Sequence, residues 1–212
     1  LKNNLLNRSN KEQLIHAINL EQFERTTCSF YRYINFKDLN NIRNQLYARF
    51  IEINILGRIY IAREGINAQV SVPSTNWDRF IEILESFTEF KKIHIKSAVM
   101  HSKYSFIKLI VRVKNKIVAD GLAHNIFVSP VGQTYLSAAE FNEAMDDPNS
   151  IVVDMRNYYE SEVGHFDNAI CPDADTFKDI LPLVKQMLNS YKNNKLLLYC
   201  TGGIRCEKAS AY

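Results

Sequence analysis

No apolar run in this 212-residue sequence approaches the roughly 20 residues that a membrane-crossing helix needs, so no membrane role is expected. Cysteine is sparse as well. The four, at positions 28, 171, 200 and 206, fit no disulfide framework and point to a reducing compartment. No signal-peptide pattern opens the chain, and a cytoplasmic location is the expectation. The five histidines, His16, His94, His101, His124 and His165, show no metal-ligand spacing, and no Cys-x2-Cys pair exists, so no metal is indicated. There is neither a P-loop nor a G-x-G-x-x-G, which removes the common nucleotide-binding motifs, and no internal repeat or low-complexity segment. No other cofactor and no protein partner is indicated by any stretch.

What is present is an ordinary globular composition, 46% hydrophobic and 23% charged, long enough for two small domains. The net charge of +3 hides an asymmetry. Through His124 there are 19 Lys plus Arg against 11 Asp plus Glu, a net +8; from Asn125 onward there are 7 against 12, a net −5. A basic front half suggests that this half meets a polyanion.

The most informative stretch is Leu196–Tyr212, LLLYCTGGIRCEKASAY. A short apolar run reads as a buried parallel strand that delivers Cys200 at its carboxyl end. Thr201, Gly202 and Gly203 let the backbone curl over the sulfur, and from Ile204 a helix begins. Backbone N–H groups, a helix N-terminus and the nearby Arg205 all favour thiolate over thiol, so Cys200 reads as an activated nucleophile, with Arg205 supporting a bound anion. Four residues separate Cys200 from Arg205, one fewer than in the cysteine phosphatases, and the smaller cradle suits a single terminal sulfur.

The rest of the chain falls into three parts: a helical segment over 1–25, a basic domain over 26–124 and a parallel α/β domain over 125–212. In the first, Ser9 and Glu12 form a capping box ahead of a short amphipathic helix. In the second, strands at Phe30–Ile34, Arg58–Ala62, Gln69–Val72, Ile93–Ser97 and Phe106–Val113 surround helices begun by Asp38 and near Trp77. That order is the ferredoxin-like β-α-β-β-α-β pattern. Tyr31, Arg32 and Tyr33 interleave aromatic and cationic side chains, and Lys91, Lys92, Lys96, Lys103, Lys108, Arg112, Lys114 and Lys116 crowd one interval, an arrangement suited to phosphates and bases. Arg63–Gln69, REGINAQ, packs polar residues around a glycine turn. After a linker at His124–Val131, a helix capped by Ser137 and Glu140, a strand at Ile151–Val153, a short strand near Ile170 and a helix over about Thr176–Ser190 precede the cysteine strand.

The Cys-x4-Arg loop resembles the rhodanese active site, in which the cysteine carries a persulfide. Together with REGINAQ, with Asp154–Glu160 (DMRNYYE), Gly164–Ala169 and Tyr199–Tyr212, it closely resembles the bacterial rhodanese-related tRNA uridine(34) hydroxylases over roughly residues 28–212. The resemblance implies a mixed α/β (α+β) protein, ferredoxin-like then rhodanese-like. It also implies conversion of the wobble uridine of tRNA to 5-hydroxyuridine with molecular oxygen as co-substrate. It places Cys200 as catalytic residue with Thr201–Arg205 as its loop, and Asp154 and Arg156 as supports. For tRNA, it and the charge pattern together point to Arg63, Glu64, Asn67, Lys91, Lys96, Lys108 and Arg112. A rhodanese domain normally continues through another strand and helix, so its C-terminal part is expected beyond Tyr212. The alternative is a sulfurtransferase or sulfur-relay module.

Overall fold

The computed structural model describes residues 9–122 and 134–212, so the linker expected at His124–Val131 lies outside the described residues. The chain divides into two units, Leu1–Ile117 and Val118–Tyr212.

The first unit opens with helix α1, Lys11–Asn19. Its capping box sits one residue later than Ser9 and Glu12 would place it. Asn10 Oδ1 accepts from the N–H of Gln13 at 2.8 Å, and Gln13 Oε1 accepts from the N–H of Asn10 at 3.2 Å. Asparagine is at least as good an N-cap as serine, and glutamine serves the reciprocal position as well as glutamate, so the chain can use either pair.

Then follow β1 (Arg25–Tyr33), α2 (Leu39–Glu52), β2 (Leu56–Ala62), β3 (Gly65–Pro73), α3 (Trp77–Glu85), β4 (Ile95–Ser97) and β5 (Leu109–Val113). Asp38 caps α2, its carboxylate accepting from the N–H of Asn41 at 3.0 Å. The sheet order is β4-β1-β3-β2-β5, with β1 antiparallel to β3 and β4, β3 antiparallel to β2, and β5 parallel to β2. The first four strands make the ferredoxin-like arrangement. The fifth, within the expected Phe106–Val113 segment, is an added edge beyond β2.

Strand alternation gives this sheet one apolar face. Cys28 and Phe30 of β1, Ile59 and Ile61 of β2, Val70 and Val72 of β3, and Leu109 and Val111 of β5 are buried with Leu46 and Phe50 of α2 and Phe80 and Leu84 of α3 in one cluster. Phe80 sits at its centre, with ring centroids 5.5 Å from Trp77, 5.7 Å from Phe50 and 6.0 Å from Phe30.

The same alternation corrects two expectations. Arg32 does not share a surface with Tyr31 and Tyr33: it lies on the helix side and donates to the carbonyls of Glu89 at 2.8 Å and Lys91 at 2.9 Å. The glycine turn in REGINAQ is also shorter than the gap expected between the strands ending at Ala62 and starting at Gln69. Only Arg63 and Glu64 form the turn, and Gly65 to Gln69 are already strand, Gly65 pairing with Ala62. Gly65 has φ +148° and a Cβ there would lie 2.0 Å from the carbonyl oxygen of Arg32, so the approach of β1 dictates the glycine.

The second unit contains α4 (Ala138–Met145), β6 (Ser150–Asp154), α5 (Tyr158–Val163), α6 (Phe177–Met187), β7 (Lys195–Tyr199) and α7 (Ile204–Ala211). Ser137 and Glu140 form the expected capping box on α4. β6 and β7 are parallel, Asp154 opposite Tyr199. Where a short strand was expected near Ile170 there is one isolated parallel bridge from Ile170 to Val153. The sheet is covered on both faces, as a parallel sheet requires: Val153 packs with Phe177, Ile180 and Val184 of α6, whereas Val152 and Leu197 pack with Ala144 of α4.

Residues 118–122 belong to this unit by packing, since Val118 and Leu122 lie against the α6 core. Asp120 is buried and its Oδ2 lies 3.3 Å from Nζ of Lys208 on α7, whose side chain is 2% exposed. Breaking one side of such a buried pair leaves an uncompensated charge. Lys208→Met is therefore expected to lower unfolding free energy by about 3–5 kcal/mol, with much of it recovered in Asp120→Asn/Lys208→Met. Equal denaturant midpoints for wild type and Lys208→Met would show that the pair contributes nothing.

Candidate active site

β7 ends at Tyr199 and places Cys200 at the carboxyl edge of the parallel sheet, the usual position for a site in an open α/β layer. The chain then reverses through Thr201–Gly203 into α7. Gly203 has φ +94°, a left-handed conformation that favours glycine, and its N–H donates to Cys200 Sγ at 3.0 Å. Gly202 is different: a Cβ there would meet nothing within 4 Å. Of the two glycines, it is Gly203 that the backbone demands.

Cys206 occupies the first turn of α7 and, like Cys200, packs against the α6 core. Its thiol hydrogen-bonds to the Cys200 sulfur, the largest of the influences that bring Cys200 down to about 5; its backbone N–H, the charge of Arg205 and the N–H of Gly203 add to it, and burial opposes them. The same contact acts in the opposite sense on Cys206, whose own thiol is pushed up by that hydrogen bond, then by burial and the Cys200 charge. At neutral pH Cys200 is therefore a thiolate. The other two cysteines are the reverse: burial pushes Cys28 up to about 12, and burial with the Asp154 charge raises Cys171.

Arg205 is held tightly. Its guanidinium donates to Glu160 at 2.7 and 3.0 Å and to Thr201 Oγ1 at 3.3 Å, while Thr201 Oγ1 donates to Glu160 Oε2 at 2.8 Å. Burial works against the Glu160 carboxylate, but the hydrogen bonds from Arg205 and Thr201 and the Arg205 charge keep it below the usual carboxylate range. Glu160 is itself fixed at the start of α5, where Oε1 accepts from the N–H of Asn157 at 3.2 Å.

A second cluster supports the neighbouring loop. Asp154, fully buried at the end of β6, accepts from Arg156 Nη2 at 2.6 Å, from Arg156 N–H at 2.9 Å, from Tyr199 O–H at 2.8 Å and from Ser161 O–H at 3.0 Å. Burial opposes its charge, yet these donors hold its carboxyl low. Arg156 also donates to the carbonyl of Gly164 at 2.6 Å and lies 5.3 Å from the centre of the Tyr199 ring. Asp154 and Arg156 thus fasten the loop between β6 and α5 to the strand bearing Cys200. His165 Nδ1 lies 3.0 Å from the carbonyl of Ser161, a structural contact.

The remaining sequence candidates lie in the first unit. Arg63 is exposed at the hairpin turn, and Glu64 Oε1 accepts from the N–H of Ile117 at 2.9 Å. Asn67 is in mid-strand and donates to the carbonyl of Ile117 at 3.0 Å. Lys91 is exposed after the turn that Arg32 bonds; Lys96 and Arg112 are exposed on strands, and Lys108 is half-buried just before β5. Sequence reasoning did not single out Glu160 or Cys206. The N-x-x-E spacing of Asn157 and Glu160, and the helical register of Cys206, were the available signals. Among the described residues no group of three or more His, Cys, Asp or Glu is placed to hold a metal ion.

Two family models match the chain: the UPF0176 acylphosphatase like domain over residues 25–117 and the rhodanese-like domain over residues 137–212. A tRNA uridine(34) hydroxylase of Leptospira interrogans is 54% identical over 203 residues, 95% of this chain and 55% of that protein. Over nearly its whole length the chain is similar to proteins named tRNA uridine(34) hydroxylase. Proteins of that name from Yersinia pestis and Yersinia pseudotuberculosis are 43% identical over 209 residues, covering 98% of this chain and 59% of theirs. The chain therefore spans between 55% and 59% of the length of these relatives. Among solved structures, a dark-state BLUF protein overlaps 44% of this chain and 75% of its own at 10% identity and a TM-score of 0.33, too slight a likeness to carry an argument.

The site makes its own reactivity testable. Iodoacetamide should label Cys200 in preference to Cys28 and Cys171, with a rate that rises through about pH 5 and is flat above pH 7. Cys206→Ala removes the largest stabilising donor and should shift that midpoint upward by about one unit or more, with Cys206→Ser shifted less because a hydroxyl still donates. An unmoved midpoint in Cys206→Ala would remove Cys206 from the account.

Proposed function

We propose that the protein carrying this chain hydroxylates the wobble uridine, position 34, of tRNA to 5-hydroxyuridine, with molecular oxygen as co-substrate. One observation carries the reading: a thiolate at Cys200 in a Cys-x4-Arg loop, within a chain 54% and 43% identical to relatives named for that reaction. Cys200 is then the nucleophile, the N–H groups of Thr201, Gly202, Gly203, Ile204 and Arg205 line its anion cradle, and Arg205 supplies fixed positive charge. Asp154 and Arg156 position the neighbouring loop. The basic first unit binds tRNA, and the reaction belongs in the cytoplasm. No described helix is long and apolar enough to cross a membrane.

A sulfurtransferase would use the same thiolate, since the matched domain is rhodanese-like. It has no use for a basic ferredoxin-like unit, whereas an enzyme acting on an anticodon must hold a large polyanion while the target base is unstacked. Mass spectrometry of nucleosides decides between the two. In a strain lacking the gene, the full-length protein should restore 5-hydroxyuridine to tRNA under air and not under anoxia, and Cys200→Ala should restore none. Accumulation of thiouridine, or efficient sulfur transfer from thiosulfate with unmodified tRNA, would replace hydroxylation by sulfur transfer.

A further inference from the structure

The sheet of the first unit has a second face, opposite α2 and α3, and strand register puts its side chains in rows. One row runs Tyr31, Asn67, Tyr60, Arg112 across β1, β3, β2 and β5. The next runs Lys96, Ser29, Gln69, Arg58, Ile110 across all five strands. Arg58, Gln69, Lys96 and Arg112 are exposed; Tyr31, Tyr60 and Asn67 are half-buried. Lys114 Nζ lies 5.5 Å from the centre of the Tyr60 ring. Tyr31 and Tyr33 meet edge to face at 6.3 Å.

Three properties of this face select its partner. No strand position on it is Asp or Glu, whereas Arg58, Lys96 and Arg112 lie on it with Lys114 beside Tyr60, a surplus of positive charge suited to phosphates. Tyr31 and Tyr60 are two strands apart, about 10 Å, with the Asn67 amide between them, a spacing that offers stacking rings to separate unpaired bases. The face is also bounded at both ends. Thr27 O–H donates to Ser105 Oγ at 3.2 Å and Ser71, opposite Thr27, is fully buried, while at the other end the Asn67 amide donates to the Ile117 carbonyl at 3.0 Å, which confines the open part to the rings and cations of the two rows above.

We propose that this face is a platform for single-stranded RNA, on which Tyr31 and Tyr60 stack unpaired bases and Arg58, Lys96 and Arg112 hold the flanking phosphates. It rests on the reading that the substrate is tRNA, and assigns the unpaired loop nucleotides to this face. Arg58 and Tyr60 are the residues that it adds; Arg32 falls outside it because its guanidinium is bound on the helix side, as does Lys91, whose backbone carbonyl Arg32 holds there.

The test is fluorescence anisotropy of the full-length protein with a labelled anticodon stem-loop and a labelled oligouridine, across a salt series. Arg58→Glu/Arg112→Glu should weaken both about tenfold or more and reduce the slope of log affinity against log salt by about 2. Tyr60→Leu should weaken binding about tenfold with the slope unchanged, and Tyr60→Phe should restore it, because stacking needs the ring and not the hydroxyl. Lys91→Glu/Lys92→Glu should change affinity less than about threefold. Circular dichroism melts identify any variant that fails to fold, and the Tyr60→Phe and Lys91→Glu/Lys92→Glu comparisons then still discriminate. Retained affinity in Arg58→Glu/Arg112→Glu and Tyr60→Leu, with loss in Lys91→Glu/Lys92→Glu, overturns the face assignment and leaves tRNA as the substrate. Protection of Tyr31 and Tyr60 from hydroxyl-radical labelling without RNA overturns it too, because another part of the chain then covers the face. A full-length protein that binds neither RNA at low salt overturns the substrate reading itself.

Discussion

A negatively charged sulfur at the edge of a packed core is tolerable only if donors converge on it. The second unit is arranged around that requirement. β7 carries the sulfur to the sheet edge, Gly203 turns its N–H onto it, and α7 brings Cys206 from the following turn. The left-handed conformation of Gly203 is the pivot, because it turns the chain from the loop that starts at Cys200 into the first turn of α7. A side chain there would be strained, and the helix that supplies the second donor would start elsewhere. The buried Lys208–Asp120 pair fastens the same helix to the segment at 118–122. Taking two charges out of water is costly, so the pair is weak evidence for stability and better evidence for a fixed helix position.

In the first unit a period of two does comparable sorting. The strands present mostly apolar side chains to α2 and α3 and mostly polar or aromatic ones to the other side, so a single sheet builds a core and a chemically distinct surface from alternate residues. The constraint is strict enough to separate adjacent residues in the sequence. Tyr31 and Arg32 are neighbours in the chain and lie on opposite faces, the arginine bound to the carbonyls of Glu89 and Lys91.

That separation explains much of what could be read from sequence and what could not. Element types were legible because apolar periodicity is local: the Leu39–Phe50 stripe, the Leu196–Tyr199 run and the Asp38 and Ser137 caps each occupy one short window. The fifth strand was placed as a strand but not as an added parallel edge, since pairing partners are nonlocal. The turn in REGINAQ could be placed only within the polar interval between Ala62 and Gln69, whereas the hairpin needs only Arg63 and Glu64 and hides Gly65 against Arg32. Cys200 and Arg205 were visible from spacing and residue type. Glu160 was not, because its role depends on α5 meeting the cysteine loop, 45 residues away in sequence from Arg205.

Glu160 also refines what the loop can bind. In a phosphate-binding cysteine loop the arginine fork must be available to two oxygens of a dianion, since a planar guanidinium recognises such groups bidentately. Here two of the guanidinium's nitrogens already face the two oxygens of Glu160, and Thr201 closes the triangle. Moving them onto a phosphate would expose the half-buried Glu160 carboxylate to the same dianion, a like-charge juxtaposition that costs more as the site dries. A sulfur added to Cys200 makes no such demand. It brings no oxygens to be chelated, and the N–H of Gly203 and the thiol of Cys206 can serve a sulfur anion without Arg205 leaving its partner. The short loop and the occupied arginine therefore select against phosphoryl groups by two independent means, one of size and one of charge.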